Sequence, residues 1–231
     1  MKPIIVNQVR GLGDILFCAP LLREYIKRGY LVIWPVVPEY IGIAKYFPEF
    51  VMLPDYIVNI NYNSKDRHHK GIEVLPLRFS DSIAKTPYSL VMKAKYDMVG
   101  MDFKMWRQLT WLRDLKAEQE LFDKLGITGE YVLVNQVFRT DKTGAVQIKP
   151  QTDKQIVTMR NIDGFTLLDW LLVMQRASEI YTVGTSINFM IDAPFAEINC
   201  PVHLYIRRPD ESGFNFYDYL LERGNYIWHH D

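Results

Sequence analysis

Short runs of consecutive apolar residues alternate along this chain with stretches in which apolar positions recur every three or four residues, the rhythm of buried strand followed by helix. The first run is Pro3-Ile4-Ile5-Val6, followed by polar Asn7 and Gln8 and a glycine turn over residues 10–14. From Ile15 onward, Leu16, Ala19, Leu22 and Ile26 share one helical face, and Gly29 after Lys27 and Arg28 suits a helix end. A second strand is predicted over residues 30–37, a short helix opened by Pro38 over 38–47, a short strand over 51–53 and another over 72–77. Residues 59–70 are polar and read as a loop or weak hairpin, and residues 88–125 turn helical until Gly126 and Gly129. The alternation then restarts. Strands are predicted at 131–135, 155–159, 180–183 and 202–206, with helices at 167–177 and 187–193, the latter stopped by Pro194. An aromatic tail follows, from Phe214 to Trp228, which would pack on the first domain, fill ordinary core or form a dimer surface. Two α/β domains result, 1–127 and 128–231, each built on a small parallel sheet.

Two turns carry candidate chemistry. In the first, Arg10-Gly11-Leu12-Gly13-Asp14, the glycines let backbone or ligand approach, and Asp14 stands at the helix entrance. Its carboxylate has two readings. It caps the helix, a contact worth about 1 kcal/mol. Otherwise it is a general base at the carboxyl end of a strand, where open α/β sheets form their ligand crevice. In the second turn, Val183-Gly184-Thr185-Ser186-Ile187-Asn188, a strand ends at a glycine and two hydroxyls stand at a helix start. That is the build of an anion site, or of a Ser/Thr cap. No GxxxxGK sequence occurs, so it is not a Walker motif.

Composition narrows the field. Lys plus Arg and Asp plus Glu both total 27, so no global charge points to nucleic acid or anionic lipid. The hydrophobic fraction of 48% argues against disorder, and no apolar run spans a bilayer or forms a secretory signal. Cys18 and Cys200 belong to no metal-type spacing and read as reduced thiols of a cytoplasmic protein. His68 and His69 are adjacent, with no spacing that completes a metal site, and read as loop residues. Lys93, Lys95, Lys104, Arg107, Arg113 and Lys116 make residues 93–116 locally basic. A solvated helix face explains them; the alternative is a basic aromatic surface resting peripherally on a membrane or binding an anionic acceptor.

Gly13-Asp14-Ile15-Leu16, followed by Ala19-Pro20-Leu21-Leu22, resembles the N-terminal motif of family 9 glycosyltransferases, the lipopolysaccharide heptosyltransferases. The resemblance covers about two dozen residues. It implies the GT-B fold, two Rossmann-like domains facing each other across a cleft, here in compact form because 231 residues is short for that fold. It implies that Asp14 is the catalytic base that deprotonates the acceptor hydroxyl. In the family, the second turn contacts the donor diphosphate through an Asp-Thr/Ser-Gly motif with a histidine shortly after. Aligned on Thr185, this chain has Gly184 for the Asp, Ser186 for the Gly and Phe189 for the His. What is implied is therefore a nucleotide-diphosphate sugar in general rather than the heptose donor. The family also uses a basic residue and a hydroxyl after the first strand of the second domain, a region where Arg139, Thr140 and Lys142 lie. The implied donor contacts are Gly13, Arg139, Lys142, Gly184, Thr185, Ser186 and Asn188. The implied activity is an inverting, metal-independent transfer to a glycan or glycolipid hydroxyl, with no cofactor and no metal ligand.

Two other classes remain open. Gly11-x-Gly13 after a strand invites a Rossmann-like nucleotide-binding protein or oxidoreductase, but position 16 is Leu where the third glycine belongs. A non-catalytic module that keeps the fold is the other, favoured by Phe189.

Overall fold

The chain begins in the middle of a sheet. In the computed structural model, which describes residues 1–61, 66–77, 90–137, 145–205, 220–221 and 225–229, strand β1 (Lys2–Val6) lies between two parallel neighbours. Ile4, Ile5 and Val6 are buried on both faces, which is why this strand reads as an unbroken apolar run. On one side lies β2 (Tyr30–Val36), then β3 (Val51–Pro54), both parallel. On the other side is β5 (Ile72–Leu75), edged by the two-residue antiparallel strand β4 (His68–His69). The order β3-β2-β1-β5-β4 means that the chain works outward from β1 in one direction and then crosses back.

Helix α1 (Leu12–Lys27) starts three residues before the predicted Ile15, directly after Gly11. Its first half, Ile15 to Leu22, is buried all round, because it enters between β2, helix α3 (Val91–Asp97) and a 3-10 helix (Phe103–Gln108). Phe17 sits edge-on to Tyr96 at 5.0 Å between ring centres and against Trp106 at 5.9 Å. On the opposite face of the sheet Ile5, Val9, Ile60 and Val74 form a separate cluster, packed by Val58 from the short helix α2 (Asp55–Val58). The segment 38–47 is a 3-10 helix (Pro38–Tyr46).

The helical pattern of residues 102–124 does not form one helix. After the 3-10 helix, Leu109 and Trp111 turn into the core, and Arg23 of α1 holds Thr110 through its hydroxyl (2.9 Å) and carbonyl (2.8 Å). Asp114 then caps a new helix, α4 (Leu115–Lys124), accepting from the Ala117 amide at 3.1 Å. Contacts divide the chain into Met1–Leu112 and Arg113–Asp231, so α4 falls in the second unit, ahead of the boundary expected near residue 127. Arg113 bonds Glu118 of α4 (2.9 and 2.5 Å) and reaches Gln175 at 3.0 Å within that unit.

The second unit is built on a separate five-stranded sheet. β6 (Tyr131–Asn135) is flanked by β7 (Gln155–Thr158) on one side and by β8 (Glu179–Val183) on the other, followed by β9 (Pro201–Tyr205) and β10 (Asn225–His229). The sheet has its own strand order, β10-β9-β8-β6-β7, and all four pairings are parallel. α4, a 3-10 helix (Leu167–Trp170) and helix α5 (Leu171–Arg176) pack together beside it, with Thr166 and Asp169 forming a reciprocal cap. Helix α6 (Ser186–Asp192) follows β8, and Pro194 ends it as expected. Of the aromatic tail expected over 214–228, residues 225–228 fall within β10, which extends the sheet against β9, the ordinary-core alternative for that part. Residues 214–219 and 222–224 lie outside the described residues. Both units are thus Rossmann-like α/β folds dominated by parallel strands.

Candidate functional site

An open parallel sheet forms a crevice where strand order reverses, outside the carboxyl ends of the two strands that part there. In the first unit those strands are β1 and β5, and in the second they are β6 and β8.

At the end of β1, residues 7–11 are pinned from both sides. The Asn7 amide donates to Leu75 O (2.8 Å) and the Val37 amide to Val9 O (3.0 Å). Gln8 is locked three ways: its carbonyl accepts from Trp34 Nε1 (2.9 Å), its Nε2 donates to Arg10 O (2.6 Å), and its Oε1 accepts from Lys95 Nζ (2.5 Å). Gly11 then turns the chain into α1 with φ +81°. Gly13 lies inside the first turn of that helix.

Asp14 is the third residue of α1, and the helix has no side-chain cap at Gly11, which corrects the capping reading. Instead Asp14 Oδ1 pairs with the Lys95 ammonium. Oδ2 lies over Gly11, where a Cβ would come under 3.0 Å from it. The lysine side chain is 3% exposed and the aspartate 33%, so the cation is interior and the anion faces outward. Lys95 was read from sequence as part of a solvated basic face. Its neighbour Lys93 fits that description, pairing at the surface with Asp97 one turn on. Only partners 81 and 87 residues earlier set Lys95 apart, and no local pattern carries that signal.

The surroundings are apolar. Tyr96 OH donates to Phe17 O (2.7 Å), and burial drives its pKa far up. Burial likewise pushes the Cys18 thiol up to about 12, with Asp14 adding to the rise and Lys95 opposing it, so this cysteine stays a neutral apolar filler.

In the second unit Asn135, the last residue of β6, donates through Nδ2 to the hydroxyls of Thr182 (2.9 Å) and Thr185 (3.1 Å). That one side chain ties the ends of β6 and β8 together. Asn188 Oδ1 accepts from the Thr185 amide (2.8 Å) in a reciprocal cap, so Thr185 does fill the capping role open to it. Gly184 is buried, Thr185 and Ser186 are half-buried, and the structure brings all four predicted residues 184, 185, 186 and 188 to the β8 exit. Asn135 and Thr182 join them unpredicted, because only the fold places β6 beside β8. Arg139 and Lys142, with Thr140, lie outside the described residues. Each switch point also holds a fully buried asparagine with unmatched amide atoms among the described residues: Asn7 at both Nδ2 and Oδ1, Asn188 at Nδ2.

A second polar cluster lies across β8, β9 and β10. Tyr181 stacks flat on His203 (4.1 Å), Tyr205 flat on His229 (4.2 Å), and His203 Nδ1 meets His229 Nε2 at 2.9 Å. His203 Nε2 faces Glu179 at 3.2 Å, and Tyr181 OH donates to the same carboxylate at 2.8 Å. Burial first, and the charge of His229 next, lower the His203 pKa, against the opposing pull of Glu179. Among the described residues no three His, Cys, Asp or Glu side chains are grouped to hold a metal, and no helix is long and apolar enough to cross a membrane. His68 is exposed and His69 Nε2 meets Val58 O at 3.0 Å, a structural contact of β4.

No family model matches the chain, and no curated protein matches it in sequence. Among solved structures, it is similar to the glycosyl transferase family 9 from Veillonella parvula DSM 2008, at 12% identity over 99% of this chain and 86% of that one, with a TM-score of 0.47. It is also similar to E. coli heptosyltransferase WaaC with ADP (15% identity, 89% and 87% covered, TM-score 0.44). The same enzyme with ADP-2-deoxy-2-fluoro heptose gives 13% identity, 99% and 93% covered, and a TM-score of 0.48.

Proposed function

We propose that this protein is a glycosyltransferase that moves a sugar from a nucleotide-diphosphate sugar to a glycan or glycolipid hydroxyl, with inversion and without a metal. The observation that carries the reading is the state of Asp14. Its carboxylate sits at the carboxyl end of the first strand, one-third exposed, held by a buried ammonium and not engaged as a helix cap. The resemblance of residues 13–22 to the family 9 motif names the chemistry for a carboxylate at that place.

In this reading the donor diphosphate lies on Gly184 to Asn188, with Asn188 Nδ2, which has no partner among the described residues, as one donor to it. Gly13 contributes close backbone approach, and Arg139 and Lys142 balance charge that builds on the leaving group, a transition-state role. The acceptor oxygen attacks the anomeric carbon while its proton passes to Asp14. The bond from that carbon to the diphosphate oxygen breaks, and the nucleoside diphosphate leaves with the electron pair. The protein would work in the cytoplasm, where nucleotide sugars are made, with at most a peripheral contact to a membrane.

The test is a thermal-shift panel of nucleoside diphosphates, nucleotide sugars and NAD(H), with and without magnesium, followed by turnover with the donor it identifies. A ligand at a hundredfold excess over its dissociation constant stabilises the native state by about 2.7 kcal/mol. One nucleoside diphosphate should shift the melting temperature regardless of magnesium, and Asp14→Asn should fold yet lose roughly 10²-fold or more in turnover. A shift with NAD(H) alone overturns the reading, as does normal turnover in a folded Asp14→Asn protein.

A further inference from the structure

The reaction just described assigns no task to Lys95, yet a lysine is almost never fully buried without a strong reason. Desolvating an ammonium costs several kcal/mol, and here the compensation comes only from Asp14 and Gln8 among the described residues. An ordinary structural pair does not need this arrangement. On the same helix, Lys93 and Asp97 pair in water, both substantially exposed.

Two features set the Lys95 pair apart. Lys95 and its partner Gln8 are both held in place: Gln8 by two hydrogen bonds besides the one from Lys95, and α3, which carries Lys95, by the adjacent Tyr96, whose hydroxyl bonds Phe17 O three residues beyond Asp14. α3 is thus fastened to α1 by neighbouring residues at two points one turn apart. The exposure is also lopsided, with the ammonium inside and the carboxylate outside, so the lysine supports the anion without blocking it. An aspartate in the first turn of a helix has an alternative, to fold back and accept from the free amides there. Lys95 holds Oδ1 away from that alternative, while Gly11 leaves room for Oδ2.

We infer that Lys95 is the positioning residue of the base: it holds the Asp14 carboxylate in one rotamer, off the helix amides and open to the acceptor hydroxyl. The inference rests on the transferase reading for its catalytic consequence, but its geometric content stands without it. Lys95→Met is the variant of choice, because it removes a buried charge and leaves behind an aspartate that water already reaches, so the fold should survive.

Two readouts separate the claims. In the isotopically labelled intact protein, three-bond couplings from Asp14 Cγ to its backbone nitrogen and carbonyl report its χ1 angle. Wild type should show one rotamer and Lys95→Met an average over several. In turnover, Lys95→Met should lower kcat by about tenfold to a hundredfold, as expected of a base displaced by up to an ångström, with KM for the donor unchanged. Lys95→Arg, which keeps the charge, should recover part of both. Should Lys95→Met fail to fold, Gln8→Leu keeps both charges and frees one side of the ammonium, and should broaden the Asp14 rotamer in the same sense. A folded Lys95→Met protein with a single Asp14 rotamer overturns the inference, as does a single rotamer in Gln8→Leu where that variant is the one used. Absence of turnover in wild type with every donor instead overturns the transferase reading, and the couplings still decide the role of Lys95.

Discussion

Replacing Gly11 by alanine tests the site through two separable costs. Gly11 has φ +81°, a conformation that L-residues rarely adopt, and strain of that kind costs about 1–3 kcal/mol. The added Cβ would also stand under 3.0 Å from Asp14 Oδ2 and 3.3 Å from Cγ. To regain the 3.4 Å of ordinary contact, the carboxylate must withdraw by roughly 1 Å. A misplacement of about 1 Å at a reacting group can cost on the order of 10²-fold in rate. Gly29→Ala supplies the control: its φ is +87°, with nothing within 4 Å of the added Cβ, so it carries strain without crowding. Urea unfolding should show both variants losing stability, by about 1–3 kcal/mol each. Turnover should fall by about 10²-fold in Gly11→Ala and stay near wild type in Gly29→Ala. Equal turnover in the two variants would refute the link between the glycine turn and the position of Asp14.

Two further outcomes follow from side chains already described. Because burial and His229 lower the His203 pKa below its ordinary 6.5, the unfolded chain binds a proton there more readily than the folded one. Its contribution to stability is therefore complete above pH 6.5 and is lost as pH falls from 6.5 toward the lower folded value; urea unfolding from pH 7.5 to 5 should show a steeper loss in wild type than in His203→Gln, and parallel curves would contradict the assignment. Arg113→Met strands the 1%-exposed carboxylate of Glu118 without its bidentate partner and should destabilise the protein by about 3–5 kcal/mol, whereas a loss under about 1 kcal/mol in urea unfolding would show that the pair is dispensable.

The parallel strands were plain in the sequence because burial on both faces writes them as unbroken apolar runs, as in residues 4–6 and 131–134. The glycine turn and Asp14 were equally plain, since a strand, two glycines and an acid at a helix start form a local signal. The capping reading failed for a non-local reason: a buried ammonium from residue 95 outcompetes the helix amides for the carboxylate. The same distance hid Lys95 itself, which by spacing resembles its exposed neighbour Lys93. The helical pattern read over residues 88–125 did not show where one helix stops and the next starts, because helical periodicity does not register where a chain pauses. Leu109 and Trp111 serve the core from an extended link, and Asp114 restarts the helix. β10 was missed because Asn-Tyr-Ile-Trp-His is an edge strand, with only β9 beside it and little burial to mark it. Asn135 became a site residue only once the crossover from β7 placed β6 beside β8.

The central place of β1 also bears on how the protein is made. A strand synthesised before both of its neighbours, β2 on one side and β5 on the other, cannot complete its pairing until residue 75 has emerged, and the Asp14 carboxylate meets its ammonium only after residue 95. Long-range closures of this kind form late and slowly. During synthesis the acidic motif therefore exists as a sequence well before it exists as a site. A nascent chain or fragment that stops short of Lys95 carries the glycine turn and its aspartate without the ammonium that holds the carboxylate in place.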